Sequence, residues 1–243
     1  MESPPASPPV PSAPGRVRRG NGEDHRQLQT AIVAAAFELF KQGGTDAVTM
    51  QGLASALGRS AMSLYRYFDS KNAVLHELWR VAYSECLLAM RARVQAQRTP
   101  GERHRALLES FLEFWEQRPD YYQLVYRTSG PDSKFERPLP EVLMPSYGDI
   151  ISLATAITRE LADELGTGHE RVTLATEMRL ALLMGYLQAR FANPRYPWRD
   201  LGLLRAACIE ATLSSVELCL QGRLVAAPSD PAPSAGACSP AEP

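Results

Sequence analysis

Apolar residues recur every three to four positions along most of this chain, in segments separated by glycine and proline. The first segment covers residues 24–42 and is interrupted by Gly43-Gly44. Its apolar face consists of Leu28, Ile32, Ala36, Leu39 and Phe40. Five later segments with the same spacing cover residues 70–97, 103–117, 146–165, 170–191 and 200–221. Because this spacing is that of amphipathic helices and no segment alternates as a strand would, the pattern predicts an all-α chain.

Helix breakers divide the middle of the chain. Pro100-Gly101 is expected to end the helix over residues 70–97, which Ser70 can cap and which is long enough to connect two domains. Pro119 stands in the first turn of a short helix that leads to residues 122–126. Residues 128–145 contain Gly130 and four prolines, too many for a long helix, and are predicted to form a loop.

Two short helices are predicted between residues 49 and 66. Thr49 can cap the first, because its hydroxyl accepts a backbone N–H that lacks a helical partner. The apolar face of this first helix consists of Met50, Leu53, Ala54 and Leu57. Gly58 ends it, and Ser60 opens a second helix, residues 61–66, that buries Leu64 and exposes small and hydroxylated side chains. Such a pair, flanked by longer helices, is typical of a helix-turn-helix that enters a DNA major groove about 12 Å wide.

The run from Leu57 to Lys71, Leu-Gly-Arg-Ser-Ala-Met-Ser-Leu-Tyr-Arg-Tyr-Phe-Asp-Ser-Lys, resembles the TetR (tetracycline-repressor-like) family of bacterial transcriptional regulators. The resemblance covers about residues 24–80. Arg59 stands where the family usually has an apolar residue, and Met62 stands where a small residue or proline is usual. The resemblance implies a three-helix DNA-binding domain followed by a larger helical domain for ligand binding and dimerisation.

The same resemblance implies DNA contacts by position. It assigns phosphate contacts to Thr49, Ser63, Tyr65, Tyr67 and Lys71, and base-edge contacts to Gln51, Ala61 and Met62. Met50, Ser60 and Arg66 complete the predicted DNA-binding set. Two interpretations of Met62 stay open: its thioether contacts a thymine methyl group, or it folds back beside Leu57 and Leu64 into the core.

Composition, and the distribution of proline in particular, predicts the limits of the domains. A chain of 243 residues with 45% hydrophobic residues can bury one sizeable core or two modest ones. Residues 1–14 hold six of the 19 prolines and residues 226–243 hold five, so we expect disordered tails over residues 1–23 and 225–243. The DNA-binding domain is then predicted over residues 24–72 and the larger domain over residues 73–224.

The charge is unevenly distributed. A net charge of −1 argues against a nucleic-acid binder, but residues 16–72 hold eight Lys or Arg against five acids, a net of +3, which leaves −4 for the rest. This asymmetry favours a basic DNA-binding module on an acidic body, although an unevenly charged solvated surface is the alternative. Arg16, Arg18 and Arg19 form either an arm near phosphates or a basic linker.

The sequence contains no motif typical of a metal site, an enzyme active site or a membrane-spanning segment. The four cysteines, Cys86, Cys208, Cys219 and Cys238, contain no C-x-x-C pair, and the four histidines are scattered, so no metal site is predicted. Nucleophile-elbow, P-loop and dinucleotide motifs are absent over residues 16–225, so we predict no catalytic residues, no cofactor and no enzyme. With no signal peptide and no stretch of 18 apolar residues, the sequence predicts a soluble cytoplasmic protein without a membrane partner.

Residues 111–130 are similar to the start of the ligand domain in many TetR-type proteins. The candidate ligand-binding residues are Trp115, Tyr122, Tyr126, Met178, Met184, Tyr186 and Arg190. Aromatic and methionine side chains line apolar ligand sites, but at helical spacing they equally indicate plain core. Arg190 suits an anionic group of a ligand, and a surface salt bridge explains it as well.

The final predicted helix carries an apolar stripe wide enough for a partner helix. The stripe consists of Leu204, Ala207, Cys208, Ala211, Ser215, Leu218 and Cys219. The family resemblance implies a homodimer through the last two helices. The sequence therefore predicts a homodimeric repressor that binds double-stranded DNA at a near-palindromic operator and is released by a small-molecule effector. The alternative is a helical regulator whose C-terminal domain binds a protein partner.

Overall fold

The computed structural model describes residues 21–127 and 144–224, and every regular element in those two ranges is helical. The helices are α1 (Asn21–Ala47), α2 (Met50–Ala56), α3 (Ala61–Leu64), α4 (Lys71–Gln95), α5 (Pro100–Gln117), α6 (Pro119–Tyr122), α7 (Met144–Glu164), α8 (Val172–Ala192) and α9 (Leu201–Leu220). A wider turn of π type (Gln123–Arg127) continues α6. The all-α prediction is confirmed.

Several sequence predictions lie outside the described residues. These are most of the two tails, the basic group Arg16–Arg19, Cys238, and the loop except for its last two positions. The breakers predict a loop that extends to residue 145, but α7 already begins at Met144. Proline is accepted in a first helical turn, where its missing N–H would have no helical partner, and Pro145 occupies that place.

The chain divides into two compact units between Val74 and Leu75, within α4. In the first unit α1 kinks at Gly43 and Gly44, where Gly44 has a φ of 67°. This left-handed conformation is open to glycine and strained for other residues. The side chains that fill the core of this unit are Ile32, Ala36, Val48, Leu53, Leu64 and Val74, all without exposed surface.

The second short helix is shorter than predicted. Its sequence predicts a helix that reaches Arg66, but α3 ends at Leu64 and Tyr65 is its C-cap. The N–H groups of Tyr67 and Phe68 both donate to the carbonyl of Leu64, at 2.9 and 3.1 Å. This tightened turn brings Phe68 into the core, where its ring is 9% exposed, and burial of that ring is a reason for the early end of the helix.

In the second unit, α5 packs against α7, α8 and α9, and α8 packs along α9. The apolar spacing predicts that α5 starts at residue 103, but the helix begins at Pro100. Thr99 accepts the N–H of Glu102 at 3.2 Å, and the Glu102 carboxylate accepts the N–H of Thr99 at 3.1 Å. This capping box makes Pro100 the first residue of a helix rather than only the end of the preceding one. No described helix is both long and apolar enough to span a bilayer.

Candidate functional site

Two side-chain caps and one glycine hold the helix-turn-helix in shape. The Thr49 hydroxyl accepts the N–H of Gly52 at 3.0 Å, and the Ser60 hydroxyl accepts the N–H of Ser63 at 3.2 Å. Between the two helices Gly58 adopts a φ of 61°. A Cβ atom on Gly52 would lie 3.0 Å from the Thr49 hydroxyl, so Gly52 also keeps the first cap accessible. The Thr49 cap satisfies a backbone donor in the first turn of α2, and the Ser63 N–H is shared between the hydroxyl and the carbonyl of Ser60, the latter at 3.0 Å.

The exposed face of α2 and α3 contains most of the predicted DNA-binding residues. Met62 is 79% exposed and Tyr65 is 46% exposed. Thr49, Gln51, Ser60 and Arg66 are exposed as well, while Ala61 and Ser63 are half-buried beside them. The exposure of Met62 removes the interpretation that its side chain belongs to the core. A protruding helix with small neighbouring side chains is the shape that a major groove admits.

Met50 does not share this exposure. Its side chain is 7% exposed and lies among the buried residues of α2, Leu53 and Ala54. The prediction that Met50 contacts DNA through its side chain is therefore corrected, because a thioether that completes the core cannot reach a groove. Its position as the first residue of the capped helix α2 leaves only its backbone near the surface.

Tyr67 and Lys71 lie where α4 begins. The Tyr67 ring stacks on His25 of α1, with centroids 4.4 Å apart. Lys71 is the first residue of α4, and its Nζ lies 4.0 Å from Oδ1 of the exposed Asp46. The Ser70 hydroxyl accepts the N–H of Ala73 at 3.1 Å and caps this helix. A helix N-terminus beside a lysine favours an anionic group such as a phosphate.

Arg59 is absent from the predicted set. It is exposed between α2 and α3, and neither Arg59 nor Arg66 forms an ion pair with a residue in the described part of the chain. Two unpaired cations beside exposed hydroxyl groups form a locally positive surface, which is a typical feature of nucleic-acid-binding proteins. The sequence did carry a signal for Arg59, since a charged residue stands there in place of the usual apolar one.

The second unit contains a cavity of about 380 Å³. Helix α4 contributes Tyr83 and Met90 to its lining, and α5 contributes Leu107 and Phe111. Further lining residues are Tyr126, Tyr147, Ile150, Ile151, Leu180, Leu183 and Met184. Ile151 and Leu180 are also exposed, so the lining reaches the surface of the unit. The volume and the apolar lining are those of a small-molecule site.

Two of the seven predicted ligand-binding residues, Tyr126 and Met184, line this cavity. Trp115 and Tyr122 have no exposed surface and pack with their rings 6.4 Å apart in the aromatic core. Met178 packs against a separate core group that includes Val172 and Val216. For these three residues the alternative of plain core is the one that the packing supports, because helical spacing alone does not distinguish a cavity wall from a filled interior.

Tyr186 and Arg190 bind a carboxylate instead of facing the cavity. The Glu116 side chain, 12% exposed, accepts hydrogen bonds from the Tyr186 hydroxyl at 2.6 Å and from Arg190 Nη1 at 3.0 Å. Its other oxygen accepts from Arg205 Nε at 3.0 Å. Burial and the bond to Glu116 raise the pKa of Tyr186 to about 12. This group, which we call the Glu116 cluster, joins α5, α8 and α9, so the salt-bridge alternative for Arg190 is the one observed.

A cavity residue that the sequence prediction missed is Arg179. It lines the cavity and is 3% exposed. Its Nη1 donates to the Thr158 hydroxyl at 3.0 Å, while its Nη2 has no hydrogen-bond partner within residues 21–127 and 144–224. Burial lowers the pKa of Arg179 to about 10, which leaves the guanidinium charged at neutral pH. The available signal was an arginine at helical spacing from Leu183 and Tyr186, on the apolar face of α8.

His104 on α5 is a second buried ionisable group near Arg179. Burial, followed by the charges of Arg179 and Arg105, lowers the pKa of His104 to about 3. The imidazole is therefore neutral at physiological pH and adds no second charge to this region.

The model of the bacterial regulatory proteins of the TetR family matches residues 32–78, which hold α2, α3 and the start of α4. Residues 32–78 therefore carry a helix-turn-helix of the TetR type. The matched region is the one that DNA-binding transcriptional regulators of this family share.

Among curated proteins, the regulator is similar to the HTH-type transcriptional activator FasR of Mycolicibacterium smegmatis. The two are 27% identical over 112 residues, which cover 46% of this chain and 51% of the relative. The matched part thus spans about half the length of that relative.

Two solved structures share the fold. The transcriptional regulator FadR of Bacillus subtilis, solved in complex with stearoyl-CoA, is 16% identical with a TM-score of 0.63 over 76% of this chain and 97% of its own. The TetR family transcriptional regulator PfmR of Thermus thermophilus is 24% identical with a TM-score of 0.52 over 78% of this chain and 97% of its own.

Proposed function

We propose that this regulator is a homodimer that represses transcription from a near-palindromic operator and releases the DNA when a small molecule occupies its cavity. The observation that carries the proposal is that α4 contributes residues both to the predicted DNA-binding set and to the lining of the cavity. The helix begins at Lys71, beside the helix-turn-helix, and its residues Tyr83 and Met90 line the cavity. Because bacterial DNA lies in the cytoplasm, the proposal places the protein there.

The proposed DNA contacts follow the family pattern and the exposure of the residues. Phosphates are bound by Thr49, Ser63, Tyr65, Tyr67 and Lys71, and base edges by Gln51, Ala61 and Met62. Ser60, Arg66 and Arg59 extend the phosphate-binding surface, since all three are exposed beside these residues. Phosphate contacts set the position on the duplex, and the base-edge contacts select the sequence.

The proposed dimer forms through α8 and α9. Leu174, Leu182 and Leu203 are large apolar side chains that remain exposed on these two helices. Between them α9 exposes Ala206, Ala207 and Ala211, whose small size permits close approach of a partner helix. Exposed apolar surface of this kind is typical of an interaction site. A two-fold dimer would present its recognition helices to half-sites about 34 Å apart or a multiple of that distance.

Release by an effector requires only a modest coupling between the two sites. A ligand in contact with Tyr83 and Met90 favours one position of α4 over another, and the DNA-bound dimer favours a specific separation of its recognition helices. A 100-fold loss of DNA affinity corresponds to a coupling free energy of about 2.7 kcal/mol, within the usual range for allosteric proteins.

The proposal is tested by sequencing the genomic DNA fragments that the purified protein retains and placing the recovered site before a reporter gene. We expect a near-palindromic site and a reporter that rises when the regulator gene is deleted. Because the relative FasR is described as an activator, a reporter that falls on deletion would reject repression while leaving DNA binding intact.

A screen of metabolites by thermal unfolding then tests the effector. A ligand at 100 times its dissociation constant should add about 2.7 kcal/mol of stability. A protein partner that binds the second unit in place of any small molecule would support the alternative function.

Lys71→Ala is expected to weaken binding to specific and random DNA alike, because a phosphate contact carries no sequence information. The slope of log affinity against log salt concentration should fall by about one unit per protomer. Lys41→Ala is the matched control, since Lys41 is similarly exposed and pairs with Glu38 on α1. Equal salt slopes for Lys71→Ala and the unmodified protein would show that Lys71 makes no contact with a DNA phosphate.

Met62→Ala is expected to relax the preference at one base pair of each half-site by about 1 kcal/mol, while binding to random DNA stays nearly constant. The physical reason is the loss of an apolar contact with a thymine methyl group. The measurement is selection of DNA sequences by each variant. Leu88→Ala, which removes another exposed apolar side chain from the second unit, serves as control and should leave the selected sequence unchanged. An unaltered preference in Met62→Ala would reject the contact.

A further inference from the structure

Arg179 combines deep burial, a position in the cavity lining and an incomplete set of hydrogen bonds. Thr158 holds one side of its guanidinium: the Thr158 hydroxyl accepts from Arg179 Nη1 at 3.0 Å and from the Thr176 hydroxyl at 3.2 Å. Thr158 in turn donates to the carbonyl of Ala154 at 2.8 Å. This relay fixes Nη1, so Nη2 is the donor that remains without a partner in the described part of the chain.

A buried cation without a counter-ion is costly, because an apolar interior cannot replace the hydration that the charge loses. The ion pairs found within residues 21–127 and 144–224 do not include Arg179. In contrast, Arg190 and Arg205, which lie in the same unit, both pair with Glu116. No described residue neutralises this charge, so a bound anion is the counter-ion that the cavity can accommodate.

We propose that the cavity binds an amphipathic monocarboxylate, whose carboxylate pairs with Arg179 and whose apolar body fills the space between α4, α5 and α7. This proposal rests on the proposed function, because it names the chemical class of the effector. A guanidinium is matched to carboxylates by its planar array of donors. Since Nη2 is itself covered, capture requires a side-chain adjustment of the kind common on ligand binding.

The other ionisable side chains around the cavity add no second positive charge, so the cavity suits a ligand with a single negative charge. Burial raises the pKa of Tyr83 and Tyr126 above the usual range, so both hydroxyls stay neutral. His104 is neutral for the reason given above, so Arg179 is the single positive charge that we find there among the described residues. Glu177, an acidic lining residue, is exposed and makes no ion pair with Arg179. A second carboxylate on the ligand would meet no cation in this part of the structure.

The size of the cavity limits the apolar body. About 380 Å³ equals roughly a dozen water-sized groups of about 30 Å³ each. Leu107, Phe111, Ile150 and Leu183 offer aliphatic and aromatic surface, so both a straight chain and an aryl group can pack there. Decanoate and 4-phenylbutyrate are suitable probes, because each has about a dozen non-hydrogen atoms and one carboxylate.

The test compares each acid with its alcohol and its amine of the same skeleton, by calorimetric titration of the full chain without DNA. We expect at least one acid to bind about tenfold or more tightly than its alcohol, and the amine to bind most weakly. Arg179→Met should abolish this preference by lowering the affinity for the acid about tenfold, while the affinity for the alcohol stays within about threefold.

Arg159→Met is the matched control, because Arg159 is exposed one residue from Thr158 and should leave the preference unchanged. Arg179→Met should fold, since replacing a buried charge by an apolar group of similar volume is often neutral or stabilising. Arg179→Gln is a second variant with the same expectation. Circular dichroism of each variant verifies the helical content.

Three results would overturn the proposal: neither acid binds at millimolar concentration, the alcohols bind as tightly as the acids, or the preference survives in Arg179→Met and Arg179→Gln. DNA release is measured separately with the recovered operator. Acid binding that depends on Arg179 but leaves DNA bound would reject the effector mechanism and keep the ligand class. DNA release by a neutral molecule, equally strong in Arg179→Met, would reject the monocarboxylate as the ligand class and keep the effector mechanism.

Discussion

Leu64→Ala is expected to lower the free energy of unfolding of the DNA-binding unit by about 2–5 kcal/mol and to abolish operator binding. Leu64 has no exposed surface and is the buried residue of the four-residue helix α3. Truncating its side chain leaves a cavity in a small core, and the free energy gained by burying the removed methyl groups is lost. Because this small unit buries few residues, its total free energy of unfolding is low, and a loss of this size removes a large part of it.

The matched control is Met62→Ala, two residues earlier on the same helix. Because Met62 is 79% exposed, its truncation should change the free energy of unfolding by less than about 0.5 kcal/mol. Hydrogen exchange of the α2 and α3 amides is the measurement, since it isolates this unit from the larger one. Equal protection in the two variants would show that Leu64 does not hold α3 in place.

Glu116→Ala is expected to cost the second unit about 2–3 kcal/mol. Breaking a buried ion pair by removing one partner costs roughly 3–5 kcal/mol, and the value is discounted here because Arg190 and Arg205 are each 28% exposed and regain water. The change leaves two arginines and the Tyr186 hydroxyl without their shared acceptor, so α8 and α9 lose a polar connection to α5.

Glu113→Ala, one turn earlier on α5, is the control for Glu116→Ala. Glu113 pairs with Arg93 at 3.3 Å, with exposed fractions of 43% and 55%, and such surface pairs contribute about 0–1 kcal/mol. Urea denaturation followed by circular dichroism compares the two free energies of unfolding. Similar losses in both variants would mean that the Glu116 cluster acts as an ordinary surface ion pair.

Local chemistry explains why the helix-turn-helix could be predicted closely. Caps, glycine breaks and helical spacing act over a few residues, so Thr49, Gly58 and Ser60 indicate the same ends that the structure shows. The errors at helix ends arise from competing local signals. At Thr99 a capping box starts the helix earlier than its apolar spacing indicates, and at Leu64 the burial of Phe68 shortens the helix that propensity alone would extend.

The ligand site shows the opposite case. Trp115, Tyr126 and Met184 carry the same apolar signal in the sequence, yet the first fills the core while the other two line the cavity. Whether an apolar helix face packs fully or leaves space depends on neighbours contributed by α4, α5, α7 and α8, which are distant along the chain. No periodicity contains that information.

Sequence alone determined the helical class, the capped helix-turn-helix and the resemblance of that motif to the TetR family, because each rests on interactions within about four residues or on one contiguous motif. Tertiary structure decided the rest. It assigned Arg190 to Glu116, left Arg179 without a counter-ion within the described part of the chain, and kept Met62 exposed while burying Met50. Each of these outcomes depends on which distant side chain supplies a partner or excludes water, since the net value of a charge or an apolar group is set by its surroundings.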